Sequence, residues 1–165
     1  RDQPRVSPGA AAVSDLAILG RILPATPPAA MERVRALEAQ VRELPQVQIP
    51  TDHVIHAGLY ARTICIPAGV ILTGAEIACA TLLVFDGHAA VNIGDTTMDL
   101  RGHHVLPAAA GRKQAFLALA DTHLTMLFAT QATDVATAEA QFTSEPDALM
   151  SRAPDAINTI TITGD

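Results

Sequence analysis

The stretch TLLVFDGHAAVNIGDTTMDLRGHHVL, residues 81–106, decides the fold class of this chain. It holds four short segments rich in apolar and β-branched residues, separated by the pairs Asp86-Gly87, Gly94-Asp95 and Arg101-Gly102. Such pairs are typical of tight reversals, and no segment of helical periodicity lies between them. The predicted strands cover residues 81–85, 89–93, 96–100 and 103–106.

The same pattern continues on both sides of this stretch. Further turn residues occur at Pro67-Ala68-Gly69, Ala110-Gly111 and Ala120-Asp121, so that β-rich segments follow at intervals of about ten residues. Seven or eight short strands with no helix between them indicate a mainly β domain over residues 51–130, either a sandwich or a jelly-roll barrel. The further strands are predicted at residues 60–66, 70–77, 114–119 and 123–128.

Composition limits which residues can form the core and which classes of partner the protein can bind. At 165 residues the chain has the size of one domain with appendages. It contains no Trp and a single Tyr, so we expect a core of Val, Ile, Leu and Ala rather than of aromatic side chains. The net charge of −6 argues against nucleic-acid binding, which needs clustered Lys and Arg. The one local basic pair, Arg112-Lys113, is too small to reverse that expectation.

The compartment follows from what the sequence lacks. No apolar run approaches the ~18 residues of a membrane span, and residues 1–23 lack the continuous apolar stretch of a secretory signal. Cys65 and Cys79 lie isolated in apolar runs, which favours buried free thiols over a disulfide. We therefore expect a soluble protein made in a reducing cytoplasm, with no membrane partner.

Residues 1–50 form a Pro/Ala-rich arm with two predicted helices. The first covers residues 10–23 and is closed by Gly20 and by the prolines of residues 24–28. The second begins after Pro28 and presents an apolar stripe on an otherwise charged rod. Its stripe packs either on its own barrel or on another subunit, and both readings stay open. The stripe consists of Met31, Val34, Leu37, Val41 and Leu44.

Residues 131–165 return to helical periodicity and then end in an extended tail. One short helix is predicted at residues 133–142, and Ser144-Glu145-Pro146-Asp147 predicts a second that starts with a hydroxyl cap. Residues 156–163 alternate Ile with Asn and Thr, which favours a strand. This strand closes onto the barrel edge, lies against a neighbouring subunit, or is disordered. Its apolar positions are Ile157, Ile160 and Ile162.

Two segments, residues 69–87 and 102–116, resemble the two motifs of the cupin superfamily in order, length and turn residues. The resemblance implies a barrel of the cupin type. With the flanking elements, the expected fold is mainly β: a cupin-type jelly-roll barrel with N-terminal helices, short C-terminal helices and an extended C-terminal tail.

Cupin barrels usually hold a divalent metal through His and carboxylate side chains. Here the corresponding positions fall near Gly74 and Glu76, at Ala80, and within residues 112–114. Only Glu76 can coordinate a metal, and one carboxylate cannot replace three or more ligands. The resemblance, with these departures, therefore implies a barrel that uses no metal and no cofactor.

The histidines offer a substitute metal site at most. Neighbours on a strand point to opposite faces, so His103 and His104 cannot both face the interior, and His53 and His56 separate likewise. A surrogate site of one member of each pair with Glu76 stays open, beside the simpler reading of hydrogen-bonded or exposed rings. His88 and His123 lie beside turns.

Nothing in the sequence points to nucleophilic catalysis. There is no Gly-x-Ser-x-Gly elbow, and every serine lies outside the predicted barrel. We name no catalytic residue and favour a protein that is not an enzyme.

A polar cluster within the predicted barrel allows two readings. Arg62 and Arg112 could line the barrel mouth with Tyr60 and Glu76, and grip an anionic, sugar or nucleotide ligand. In the other reading, Arg62 pairs with Glu76 as internal polar filling. Lys113 and Gln114 complete the cluster.

Three segments carry a more specific resemblance: residues 56–63 (HAGLYART), 102–116 and 121–128 (DTHLTMLF). They are similar to small cupin-like proteins encoded by tailed bacteriophages, prophages and gene-transfer elements, over about residues 44–152. The resemblance implies manufacture in a bacterial cytoplasm, with a place in the virion head or tail left open, and a binding or assembly role.

Two functional hypotheses follow. The first is a non-enzymatic module that assembles with itself or with other virion proteins through its N-terminal helix and C-terminal tail. The second is a metal-independent cupin enzyme or sensor that binds a small ligand in the barrel. A ligand-sized interior cavity would favour the second hypothesis, and a solidly packed barrel would exclude it.

Overall fold

The computed structural model describes residues 22–164, and this part of the chain is mainly β, as predicted. Its eight strands form one sheet in the order β3-β6-β4-β7-β2-β1-β8, and β5 pairs with β4 outside this path. The strands are β1 (Thr51–His56), β2 (Leu59–Ile66), β3 (Ile71–Thr73), β4 (Thr81–Ile93), β5 (Thr96–Ala108), β6 (Ala115–Ala118), β7 (Thr122–Ala129) and β8 (Asn158–Ile162).

The stretch that decides the fold is one long hairpin rather than four strands. β4 and β5 pair along 13 residues each and reverse only at Gly94-Asp95. The reversals predicted at Asp86-Gly87 and Arg101-Gly102 are wrong, because Gly87 and Gly102 face each other inside the ladder. Gly87 is needed there for close approach: a Cβ on it would lie 2.5 Å from the Thr122 hydroxyl oxygen.

Two further strand predictions need correction. β1 was not among the predicted strands, although it pairs with β2 along its whole length. The strand predicted at residues 70–77 contracts to β3, and the chain then runs irregularly to Thr81. In that irregular stretch Ile77 makes a single bridge to Arg112. The irregular segment, which contains Glu76, stays hydrogen-bonded to residues 111–114 through Gly74 and Ile77.

Aliphatic side chains make up most of the core, as composition predicts, and the Tyr and Phe side chains are buried among them. Tyr60 and Phe85 are fully buried and Phe142 is nearly so. The Tyr60 ring lies 5.4 Å from the Phe128 ring and 6.3 Å from the Phe142 ring, centroid to centroid. The Tyr60, Phe128 and Phe142 rings therefore pack together within a core that is otherwise mostly aliphatic.

The N-terminal part contributes one described helix, α1 (Pro28–Arg42). Pro28 starts it, in agreement with the tolerance of the first turn for proline. Residues 10–21 of the other predicted helix lie outside the described residues. Its predicted last residue, Leu23, is extended and bridges Ala108 of β5, so a helix does not reach that position.

The C-terminal part contains α2 (Val135–Phe142) and two 3₁₀ turns, Pro146–Ala148 and Met150–Arg152. Asp134 caps α2 by accepting a hydrogen bond from the Thr137 amide. The hydroxyl cap predicted at Ser144 is wrong. The Glu145 amide instead donates to Thr143 Oγ1, and only a single 3₁₀ turn follows.

The tail adds the last strand of the sheet. β8 pairs in parallel with β1, with Ile160 opposite His53 and Ile162 opposite Ile55. Of the three alternatives for the tail, the strand therefore closes onto the edge of its own sheet. None of the helices among residues 22–164 has the length and apolarity needed to cross a membrane.

Candidate functional site

The curled sheet lines a partly open cavity of about 170 Å³. Strands from distant places in the sheet order line it together: Leu72 from β3, Phe116 from β6, Leu124 from β7 and Ile64 from β2. Leu149 and its neighbours in the 3₁₀ turns cover one side. The barrel is therefore not packed solid. The polar side chains on the cavity wall are Glu38, Arg62, Thr73, Arg112, Lys113, Gln114 and Glu145.

Arg62 of β2 is neutralised by Glu139 of α2. Its guanidinium donates to Glu139 Oε1 at 3.1 Å and to Ser151 Oγ at 3.0 Å. Glu139 is 2% exposed and also accepts from Arg152 at 2.7 Å. The Glu139 carboxylate accepts several charge-assisted hydrogen bonds. These bonds offset the desolvation free energy of burying Glu139 and Arg62.

The predicted pair of Arg62 with Glu76 is wrong. Glu76 lies in the irregular segment after β3, which places its side chain against α1, where Arg35 donates to it at 2.6 Å. Neither Glu76 nor Tyr60 is among the residues that line the cavity. Of the four residues predicted to bind a ligand, Arg62 and Arg112 are brought together on one cavity.

Lys113 is buried and paired. Its ammonium group donates to Glu38 Oε1 at 3.1 Å and to the Gly74 carbonyl at 2.8 Å. Helix α1 supplies this partner, because Glu38 lies one turn after the buried Val34 and faces the sheet. The sequence places Glu38 outside the apolar stripe of the helix, so its role as a partner of Lys113 was not predicted. Glu38 lies three residues after Arg35 and four after Val34. This spacing, which puts the three side chains on one side of the helix, was the only sequence signal for its position.

Arg112 is buried, 3% exposed, and has no ionic partner among residues 22–164 within 4.0 Å. Its guanidinium donates to the Ala109 carbonyl and, at 2.9 Å, to Thr81 Oγ1, while its Nε makes no hydrogen bond within the described part. Burial lowers the pKa of Arg112 to about 10, and the nearby Cys79 opposes that shift.

Tyr60 belongs to a second polar cluster, which ties β8 to the barrel. Its hydroxyl donates to His53 Nδ1 at 2.8 Å, and His53 Nε2 donates to Asn158 Oδ1 at 3.0 Å. The Asn158 amide group then donates to the Ser151 carbonyl. Burial lowers the pKa of His53 and raises the pKa of Tyr60. His53 is therefore held as a neutral ring that connects three elements.

The side chains do not fit the metal of cupin barrels. Gly74 and Ala80 carry no ligand atoms, and Glu76 is engaged by Arg35. Within residues 22–164, no three His, Cys, Asp or Glu side chains are grouped as metal ligands. His53 is buried and His56 exposed, as strand alternation predicts.

The remaining chemically reactive groups are scattered. His88 contacts Asp99 at 2.7 Å, and His104 contacts the Arg101 carbonyl. Cys65 and Cys79 are free thiols but only partly buried, against the expectation of full burial. Burial raises the pKa of both thiols, which lowers their reactivity.

The predicted assembly residues have unequal environments. In the α1 stripe Val34 is buried against its own chain, whereas Leu44, beyond the helix end, is 58% exposed. The partly buried members are Met31, Leu37 and Val41. In the tail, Ile157, Ile160 and Ile162 are each about half exposed.

Strand β8 presents one hydrogen-bonding edge to the outside. The Thr51 amide donates to the Ile157 carbonyl, and the Thr163 amide donates to the Ile55 carbonyl. In a parallel ladder these bonds alternate, so the odd-numbered residues of β8 pair with β1. The amide and carbonyl groups of Ile160 and Ile162 therefore face the open edge.

Comparison with solved structures finds cupin superfamily proteins. One from Desulfitobacterium hafniense is 17% identical, with a TM-score of 0.43 over 56% of this chain and 87% of that chain. An RmlC-like cupin with a double-stranded β-helix fold, from Methanocaldococcus jannaschii, is 9% identical, with a TM-score of 0.42 over 50% and 81%. KdgF from Halomonas sp. is 18% identical, with a TM-score of 0.42 over 53% and 86%.

No protein-family profile and no curated protein sequence matches the chain. The similarity to solved proteins concerns the fold, and the neighbours are cupins with jelly-roll architecture.

Proposed function

We propose that the protein is a non-enzymatic assembly module that joins a second copy of itself through the open edge of β8. The single observation that carries this proposal is the edge itself. β8 is the last strand in the sheet order, and the backbone groups of Ile160 and Ile162 face outward. Such an edge is a template for pairing with another strand.

The side chains of the edge support the proposal. Natural edge strands are usually protected by Lys, Pro or inward-pointing charges, and residues 156–163 contain none of these. Ile160 and Ile162 lie on the same face as the buried His53 and Ile55, yet are 55% and 49% exposed. A docked strand would cover the apolar surface that residues 22–164 leave open.

A second copy suits this edge because the strand is uncharged and self-complementary. Two β8 strands that run antiparallel around a two-fold axis would place Ile and Thr opposite Ile and Thr, with no like charges facing each other. The net charge of −6 on each copy favours contact through a neutral segment.

The proposed setting is a bacteriophage or a related element, with the protein as a head or tail accessory protein. Support comes from the resemblance of residues 56–63, 102–116 and 121–128 to such proteins. Other virion proteins are then further partners.

The assembly proposal is tested by the molar mass in solution, measured by light scattering. Ile160→Pro removes an outward N–H without touching the ladder to β1, and Ile160→Lys adds a charge to the edge. Both variants should be monomeric while the wild type is dimeric. Val105→Lys on β5 adds the same charge at another half-exposed site and should stay dimeric. A monomeric wild type, or a dimeric Ile160→Pro, would contradict the proposal.

A second candidate function, small-ligand binding in the barrel, is favoured by the cavity. About 170 Å³ with a largely apolar wall is enough for a benzene-sized molecule, since a cavity of about 150 Å³ binds benzene. Its test is the binding of toluene, followed by the NMR signal of the Met126 methyl group. Leu124→Phe should fill the cavity and abolish binding. An unchanged Met126 signal in the wild type would exclude this function.

A further inference from the structure

We propose that the cavity takes a small apolar monocarboxylate, such as an aromatic or short aliphatic acid, whose carboxylate is held by Arg112. This inference rests on the small-ligand function above and names its ligand class. Three observations carry it: the charge balance of the cavity wall, the free donors of Arg112 and the apolar character of the remaining surface.

The charge balance leaves one cation without a counter-charge. Three cationic side chains line the cavity, and two of them have carboxylate partners: Arg62 with Glu139, and Lys113 with Glu38. The other carboxylate on the wall, Glu145, is about half exposed and lies 3.8 Å from Arg35. No carboxylate of residues 22–164 lies within 4.0 Å of Arg112. A buried, uncompensated guanidinium is costly, and an anion beside it removes that cost.

The hydrogen bonds of Arg112 leave donors for that anion. A guanidinium has five N–H donors, and within the described residues only the Ala109 carbonyl and the Thr81 hydroxyl accept from this one. The Nε also makes no hydrogen bond within the described residues, but it is fully buried, so the remaining N–H groups of the two terminal nitrogens are the donors left for an anion. A carboxylate matches the planar fork of a guanidinium and accepts two parallel bonds from it.

The rest of the wall selects an apolar body. Leu72, Leu83, Phe116 and Met126 surround the space, together with Leu124. A sugar would lose the hydrogen bonds of its hydroxyl groups against such a surface, and a nucleotide exceeds a cavity of about 170 Å³. Of the ligand classes expected from the sequence, we therefore choose the small anion over the sugar and the nucleotide.

The test compares four probes by isothermal titration on the full chain: benzoate, the neutral isostere benzamide, toluene and inorganic phosphate. Benzoate should bind saturably and at least about tenfold more tightly than benzamide, the factor expected for one charge-assisted hydrogen bond. Phosphate, which lacks the apolar body, should not bind. Equal binding of benzoate and benzamide would overturn the carboxylate assignment.

Two variants separate the charge from the space. Arg112→Met should lose at least about tenfold in benzoate affinity and keep toluene binding, without loss of thermal stability, because an uncompensated buried charge is removed. Leu124→Phe keeps every charge and should abolish binding of both probes. Arg101→Met, at an exposed site, should change neither.

The outcomes distinguish this inference from the function on which it rests. If toluene binds and benzoate binds no better, the cavity is a ligand site but the monocarboxylate assignment is wrong. If neither probe binds to the wild type, both the assignment and the small-ligand function are wrong.

Discussion

At the residue scale, Glu139 does the most to hold the C-terminal segments on the barrel. It lies on α2, is 2% exposed, and accepts hydrogen bonds from Arg62, Arg152 and Ser151. The cluster thus joins β2, α2 and the second 3₁₀ turn. Its other members lie 12 to 77 residues from Glu139 along the chain, and no local pattern in the sequence pairs them.

We predict that Glu139→Gln lowers the free energy of unfolding by about 3 kcal/mol, because it leaves Arg62 buried without a counter-charge. Urea denaturation measures this value. Asp147→Asn removes the exposed partner of Arg152 and should change stability by less than about 0.5 kcal/mol. Similar losses for the two variants would show that the Glu139 cluster is not structural.

His53 gives a pH dependence with a defined sign. Burial lowers its pKa below the ordinary 6.5; Arg62 also lowers it, while the Asn158 hydrogen bond and the charges of Glu139 and Asp52 oppose the shift. As the pH falls below about 6.5, His53 therefore binds a proton in the unfolded chain but not yet in the folded chain. The free energy of unfolding therefore declines as the pH falls below about 6.5. At higher pH, His53 does not affect it.

We predict that His53→Gln weakens this decline, so that the difference in thermal midpoint between pH 7 and pH 5 is smaller than in the wild type. His103→Gln, at an exposed position, should leave the difference unchanged. Thermal scans at the two pH values measure it. An identical pH dependence in wild type and His53→Gln would show that His53 does not cause the decline in stability.

At the scale of elements, the glycines explain both the success and the error of the sequence-based strand predictions. Gly94 marks a true reversal, whereas Gly87 and Gly102 lie inside the hairpin of β4 and β5. A glycine that permits a turn and one that permits close approach look the same in a sequence. The element type was therefore predictable, and the strand lengths were not.

We predict that Gly87→Ala destabilises the fold by about 3 kcal/mol or more. The Cβ of the new alanine would lie 2.7 Å from Thr122 Cα and 2.9 Å from the Asp121 carbonyl oxygen. Both are backbone atoms, so the clash can be relieved only by moving the strand. Gly102→Ala should cost only about 1 kcal/mol, since it has a positive φ but nothing within 4 Å. Chemical denaturation ranks the two variants, and equal costs would contradict the close approach.

At the scale of the whole molecule, the β class and most turns were predictable because turn chemistry is local. The contact of the Tyr60, Phe128 and Phe142 rings was not, because these residues lie far apart in the sequence. Arg62 and Arg112 line one cavity, and the sequence already suggested them as neighbours. Their different partners depend on α1, α2 and the irregular segment after β3, and those tertiary contacts leave no mark in the sequence.

The central claim is that the open edge of β8 is an assembly surface. The most direct measurement is the hydrogen exchange of its backbone amides at low and high protein concentration. The Ile160 and Ile162 amides face outward, whereas the Thr161 amide belongs to the ladder with β1. We predict that the first two are protected only at high concentration, and that Thr161 is protected at both. Rapid exchange of Ile160 and Ile162 at every concentration, with Thr161 protected throughout, would contradict the claim.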